Sequence, residues 1–267
     1  MGDGRAEADQ VEDIAADMKR TLRVSEQNRI DSRNWEGYLA LLIDRIEDAG
    51  MLVMRSGVVG NNTHRPLSVD EFRGFVLADP LAPVMFVNGR DAKAAQIFTL
   101  IHELAHVWIG ASGVSNEGIG ANQAHSGEIE RLCNAVAAEF LVPANDIRAR
   151  WRRQLDFAPQ VRDLAREFKV SGVVVGRRAV ETGLASWDDF GRFYQAERAA
   201  WEAAAAARRA GGGDPYRTSA VRNSKLLTKA VLEMAFEGRM LLRDAGNLLG
   251  VAPANLCKLA KSVYGED

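Results

Sequence analysis

The feature that most constrains this 267-residue chain is a largely apolar segment that contains two histidines and a glutamate near its end. Residues 91–108 show a strongly hydrophobic helical pattern that stops at Gly110, and the motif H-E-x-x-H, from His102 to His106, lies within it. A helix this apolar has to be buried, and buried imidazoles and carboxylates destabilise a fold unless they have partners. The fold must therefore enclose this helix and also satisfy its polar residues.

The spacing of the motif fits a metal ion. Positions i and i+4 of a helix share one face, with Cβ atoms about 5–6 Å apart. His102 and His106 can therefore bind one ion through neutral imidazoles at about 2.0–2.1 Å. Glu103 projects about 100° away, where it can take a proton from a water molecule. The alternative is a pair of core histidines satisfied by hydrogen bonds; we favour metal because two of the four histidines stand in this motif.

A catalytic zinc commonly has three protein ligands and one open position. The helical pattern at 126–142 offers three carboxylates as the third ligand, Glu128, Glu130 and Glu139. Its apolar stripe places Glu130 at one border, beside Ala137, and the other two at the opposite border, so periodicity alone does not choose. A small neighbour such as Ala137 lets two helices approach closely, which slightly favours Glu130.

Two motifs together resemble the ImmA/IrrE family of metallopeptidases. One is the run at 72–110 around H-E-x-x-H, and the other is E-x-x-[AC]-N-x-x-A-A-x-x-L-x-P at 130–143. The resemblance covers residues 10–185 well and the C-terminal segment more loosely. It implies one catalytic zinc ion, which manganese could replace. Its ligands would be His102, His106 and Glu130, with Glu103 as general base.

The resemblance also implies a substrate. Members of the family look like endopeptidases that cut helix-turn-helix repressors, which here would relieve repression in a stress or mobile-element response. No repressor-type DNA-binding segment precedes residue 35, so we expect the repressor to be a separate protein. An extended peptide could pair with an edge offered by the strand at 83–88. Candidates to support the ligands or the oxyanion are Asn134 and His125, although a solvated loop is the simpler interpretation of His125.

The expected fold class is α+β and mostly helical. A small antiparallel three-stranded sheet is predicted to pack on the H-E-x-x-H helix, and its strands are the runs at 51–55, 72–78 and 83–88. An all-helical C-terminal part follows. Three regions are expected: a zinc peptidase domain at 1–145, a helical region with a linking helix at 146–210, and a C-terminal helical segment at 211–267.

The formal net charge of −2 hides an asymmetry, since residues 1–142 carry −8 and residues 143–267 carry +6. The basic half contains two segments that resemble a helix-turn-helix, at 161–183 and 240–262. Four cations in them could contact phosphate: Arg177, Arg178, Lys258 and Lys261. Because neither segment is rich in base-reading side chains, scaffold or substrate docking is favoured over DNA binding.

A different class of function stays open as the alternative. The chain could be a DNA-binding or metal-sensing regulator that keeps the motif without proteolysis, but metal binding alone has no need of Glu103. Two cysteines, no signal-like N-terminus and no apolar run of membrane-spanning length predict a cytoplasmic protein that does not contact a membrane.

Overall fold

The structure is a computed structural model that describes residues 3–59, 62–115, 127–209 and 223–265. It confirms the α+β class, with helices predominating. The helices before the C-terminal segment are α1 (Asp3–Leu22), α2 (Glu26–Asp31), α3 (Trp35–Asp48), α4 (Lys93–Trp108), α5 (Glu128–Leu141), α6 (Ala144–Arg150), α7 (Phe157–Phe168), α8 (Gly172–Glu181) and α9 (Trp187–Arg209). The last three helices are α10 (Lys225–Phe236), α11 (Leu242–Leu249) and α12 (Leu256–Tyr264).

Six strands are described, all of them before α5. They are β1 (Leu52–Ser56), β2 (Val58–Val59), β3 (Asn62–Pro66), β4 (Gly74–Leu77), β5 (Val84–Asn88) and β6 (Gly113–Ser115). Four of them form one sheet in the order β1-β5-β4-β6, while β2 and β3 form a separate antiparallel ribbon. Strand β5 pairs parallel with β1 and antiparallel with β4, and β6 pairs antiparallel with β4.

The predicted sheet is therefore correct in position but wrong in two respects. It is mixed rather than antiparallel, and it has a fourth strand, β6. The prediction treated the three strands as antiparallel and joined by loops. In the structure the chain instead forms the β2–β3 ribbon before β4 and then returns as β5 between β4 and β1. Burial accounts for the central position of β5 in the sheet, because its residues Met85, Val87 and Asn88 are almost fully buried. Strand β5 consequently offers no edge to a peptide.

Helix α4 is enclosed on all sides, as its composition requires. Every residue from Gln96 to His106 is buried. The sheet contacts α4 on one side and α5 lies beside it, while α1 packs on α5. The apolar stripe of α1, which includes Ala15, Met18 and Leu22, is likewise buried in this core. The motif helix is thus the centre of the first part of the molecule.

Two clusters of buried apolar side chains are found among the described residues. The larger one runs from Val11 to Phe193 and so continues across the predicted boundary between residues 145 and 146. The smaller one lies within α10, α11 and α12, from Val231 to Leu256. The three-region division itself stays a prediction. None of the described helices combines the length and the apolar character needed to cross a lipid bilayer.

The start of α10 is attached to the first core through a buried carboxylate. Both carboxylate oxygens of Glu47, at the end of α3, accept the backbone N–H of Lys225 at 3.1 Å. The ammonium group of Lys225 pairs with Asp44 at 2.7 Å, and the backbone N–H of Ser224 faces Sδ of Met54 at 3.3 Å. Glu47 is only 7% exposed, and its removal would leave the part-buried backbone N–H of Lys225 without its acceptor.

Replacing Glu47 with alanine should therefore destabilise the protein by about 1.5–3 kcal/mol, which is the usual contribution of a hydrogen bond to a charged group. Urea denaturation of the full chain measures the change. Asp48→Ala is the matched control, because Asp48 is the next residue and is exposed. Equal stability of the Glu47→Ala and Asp48→Ala proteins would contradict the structural role of Glu47.

Candidate metal centre

Two helices bring three potential metal ligands together. His102 and His106 stand one turn apart on α4, and Glu130 lies in the first turn of α5. The two Nε2 atoms are 3.2 Å apart. One carboxylate oxygen of Glu130 is 3.2 Å from Nε2 of His102, and the other is 3.1 Å from Nε2 of His106. One potential ligand atom from each of the three residues therefore lies within 4.8 Å of the other two.

The spacing of these atoms fits a zinc ion. Ligands placed tetrahedrally at about 2.0–2.1 Å from zinc are separated from one another by roughly 3.3 Å. The two imidazole nitrogens, 3.2 Å apart, are close to that separation, and each lies 3.1–3.2 Å from one of the two carboxylate oxygens of Glu130. Two imidazole nitrogens and one carboxylate oxygen also form the donor set of a catalytic zinc site that keeps a position open. The residues present thus fit the metal that the motif indicates.

Charge and burial around His102, His106 and Glu130 also favour the binding of a cation. His102 and His106 are 4% and 1% exposed. Hydrogen bonds from His102 and His106 lower the pKa of Glu130 far below its usual range. Burial lowers the pKa of His106, but hydrogen bonding and the charge of Glu130 outweigh burial and raise this pKa above its ordinary value of 6.5. The carboxylate therefore stays ionised, and the site is prepared for a cation.

The other carboxylates considered from the sequence are not in the cluster. Glu128 is exposed at the start of α5. Glu139 lies about two and a half turns beyond Glu130, where it accepts the backbone N–H of Ala144 at 3.2 Å and pairs with the guanidinium group of Arg178. Of the three carboxylates, Glu130 is thus the one that the structure brings beside the histidines, and its role as the third ligand stays a prediction.

Glu103 is fully buried on the side of α4 that meets the sheet. Strand β4 can lie this close to Glu103 only because residue 74 is a glycine. A Cβ atom at Gly74 would lie 2.8 Å from Oε1 of Glu103 and 2.6 Å from Cγ2 of Thr99. Any side chain would push the strand away from the helix. The motif itself does not point to Gly74; a lone glycine inside a strand pattern is the signal that indicates such a close approach.

Two further contacts hold the metal-site helices in place, and neither is indicated by a motif. The indole N–H of Trp108, at the end of α4, donates to Asp17 of α1 at 2.8 Å. The guanidinium group of Arg178, on α8, donates to the carbonyl of Val142 at 3.0 Å as well as to Glu139. Its side chain is 11% exposed, so Arg178 joins α8 to α5 inside the fold rather than offering a surface for phosphate.

The remaining predicted site residues are dispersed. Asn134 is half-buried, one turn after Glu130 on α5, and Arg177 pairs with Glu181 at 2.9 Å within α8. Lys258 and Lys261 are exposed on α12. His125 lies outside the described residues. The roles suggested for Asn134 and His125 stay predictions.

Comparison with known proteins agrees with this geometry. The family model Peptidase_M78, described as the IrrE N-terminal-like domain, matches residues 46–180, from the end of α3 into α8. The chain belongs to the IrrE N-terminal-like family of metallopeptidases. A second family model, described as a domain of unknown function (DUF8813), matches residues 223–262 and so covers α10 to α12. No curated protein matches the chain.

This IrrE-like metallopeptidase should lose metal affinity when Glu130 is replaced with glutamine, because a neutral amide is a much poorer ligand than a carboxylate. We expect zinc to bind at least about 100-fold more weakly, measured by competition with a chromophoric chelator. Glu128→Gln, an exposed substitution two residues away on the same helix, should bind zinc as the wild type does. Equal affinities of the two variants would exclude Glu130 as a ligand.

The affinity for zinc should also depend on pH, and the protonation of His106 determines the direction of the change. Since the pKa of His106 is raised in the metal-free site, protons compete for its Nε2 atom at pH values above 6.5. Glu130 remains ionised, so acidification should weaken zinc binding through the histidine. Chelator competition between about pH 5 and pH 8 measures this dependence. An affinity that stays constant or increases on acidification would contradict it.

Proposed function

We propose that this protein is a zinc-dependent endopeptidase that cleaves a helix-turn-helix transcriptional repressor carried on a separate chain. The observation that carries the proposal is the cluster of His102, His106 and Glu130 with the buried carboxylate of Glu103 beside it, in a chain of the metallopeptidase family. Zinc is the proposed ion, and manganese could replace it in the same donor set.

The chain's own residues supply the ligands and the base for peptide hydrolysis. When bound, zinc provides Lewis acidity that polarises the scissile carbonyl and makes a water molecule more acidic. Glu103 takes the proton from the attacking water and delivers it to the leaving amine. The close contact with β4 at Gly74 restricts where the carboxylate of Glu103 can lie, which keeps it aligned for these transfers.

The sheet suggests where the substrate binds. In the described part of the sheet, β6 pairs only with β4, so its outer edge can accept another strand. Ser115 of β6 lies opposite Gly74, the residue that contacts Glu103. An extended peptide added to β6 would be held by main-chain hydrogen bonds next to the metal site. This edge replaces β5, whose two neighbours leave it no free side.

The repressor as substrate rests on the sequence resemblance to ImmA/IrrE proteins. Cleavage of such a repressor would relieve repression, and the proposed setting is a stress or mobile-element response. A regulator that only senses metal has no use for the general base, and Glu103 is both present and fully buried at the site. Proteolysis therefore explains the presence of Glu103, whereas metal sensing does not.

Replacing Glu103 with glutamine should abolish cleavage while leaving zinc bound. The amide cannot accept the proton of the attacking water, so we expect cleavage to slow by at least about 100-fold. The assay incubates the zinc-loaded protein with a candidate repressor encoded beside it and follows the fragments by mass spectrometry. Zinc content is measured on the same samples.

The exposed Glu128→Gln substitution is the matched control and should cleave at the wild-type rate. Cleavage by Glu103→Gln at the wild-type rate would disprove the general base. If wild-type protein that contains stoichiometric zinc cleaves no candidate repressor, the repressor assignment fails, although the metal site does not.

A further inference from the structure

The C-terminal unit, residues 223–265, contains two helices joined by a tight turn. Helix α11 ends at Leu249, and Gly250 follows with a left-handed φ of 67°, which stops the helix. After Val251 and Ala252, a 3₁₀ turn at Pro253–Asn255 leads directly into α12. Three residues, including a glycine, thus separate α11 from the helical stretch that begins with the 3₁₀ turn, and this is the layout of a helix-turn-helix.

The turn is held firmly against α11. A Cβ atom at Gly246 would lie 2.7 Å from the carbonyl oxygen of Val251 and 3.3 Å from the ring of Pro253, so this close crossing requires glycine. Ala245, Leu249 and Leu256 are buried together with residues of α10. The small core of the C-terminal unit therefore fixes the direction of α12 relative to α11 and α10.

The two faces of α12 differ in what they contact. Leu256, Leu259 and Ala260 pack into the small core. Lys258 and Lys261 stand three residues apart on the opposite face, and both are exposed. Neither ammonium group forms an ion pair with any residue in the described ranges. The outward face of α12 is thus positively charged and takes no part in the packing of the described C-terminal unit.

The approach to this face is open. The exposed residues that lead into α12 are Ala252, Pro253 and Ala254, whose small side chains let another molecule come close to the helix. Asn255 is exposed at the same end, and an asparagine amide can pair with an adenine edge. The unit carries six Lys/Arg against three Asp/Glu, so the surrounding charge also favours a polyanion.

We propose that the C-terminal unit binds duplex DNA, with α12 in the major groove and Lys258 and Lys261 on the phosphates. A B-form major groove admits an α-helix, and the narrow start of α12 suits entry by that end. Since few side chains at the start of α12 can read bases, phosphate contacts supply most of the affinity. This surface is separate from the metal site, so the activity goes beyond the proposed proteolysis.

The test measures DNA binding by the full chain. Fluorescence anisotropy with a labelled duplex of about two helical turns should detect micromolar binding at low salt. In Lys258→Ala/Lys261→Ala, binding should weaken about tenfold or more, and the slope of log affinity against log salt should fall by about two. Arg192→Ala/Arg198→Ala removes two exposed cations from α9 and should bind as the wild type does.

A second measurement, with an RNA duplex, distinguishes binding in the DNA major groove from general attraction to polyanions. An RNA duplex of the same length should bind more weakly, because the deep and narrow A-form major groove does not admit a helix. Absence of DNA binding by the wild type at low salt, equal loss in the two double variants, or RNA binding as tight as DNA binding would each overturn the proposal.

Discussion

The burial of an H-E-x-x-H sequence inside an apolar helix is the constraint on which the rest of this structure depends. His102, Glu103 and His106 are almost inaccessible to solvent, and polar groups in such surroundings destabilise the fold unless they are paired. Glu130 meets this demand for the histidines by placing one carboxylate oxygen near each ring. The position of α5 relative to α4 is therefore both a packing requirement and the origin of the candidate metal centre.

The surrounding elements hold α4 and α5 in place. The contact of Trp108 with Asp17 ties the end of α4 to α1, and the pairing of Arg178 with Glu139 ties α5 to α8. On the other side of α4, Gly74 lets β4 approach Glu103 closely. Contacts with α1, α8 and β4 thus restrain α4 and α5, the helices that carry the candidate ligands, which reduces the reorganisation needed when a metal ion or a substrate binds.

Much of the site could be predicted because it is local in sequence. The spacing of His102, Glu103 and His106 within one helix determines which side chains share a face, whatever the helix packs against. The strands at 51–55, 72–78 and 83–88 were also predicted close to their observed limits, since short apolar runs between glycines and prolines mark them. Their pairing could not be obtained this way, because the ribbon of β2 and β3 changes which strands become neighbours.

By itself, the sequence determined the helical character of most of the chain, the α+β class and the two histidines that can share an ion, since these follow from periodicity and spacing within short segments. Only the tertiary structure decided that Glu130 rather than Glu128 or Glu139 joins them, that Arg178 is used inside the fold, and that Lys258 and Lys261 are exposed on one face of α12. Each of these depends on contacts between segments distant in the chain, and the polarity of one helix face does not specify which of several neighbours will cover it.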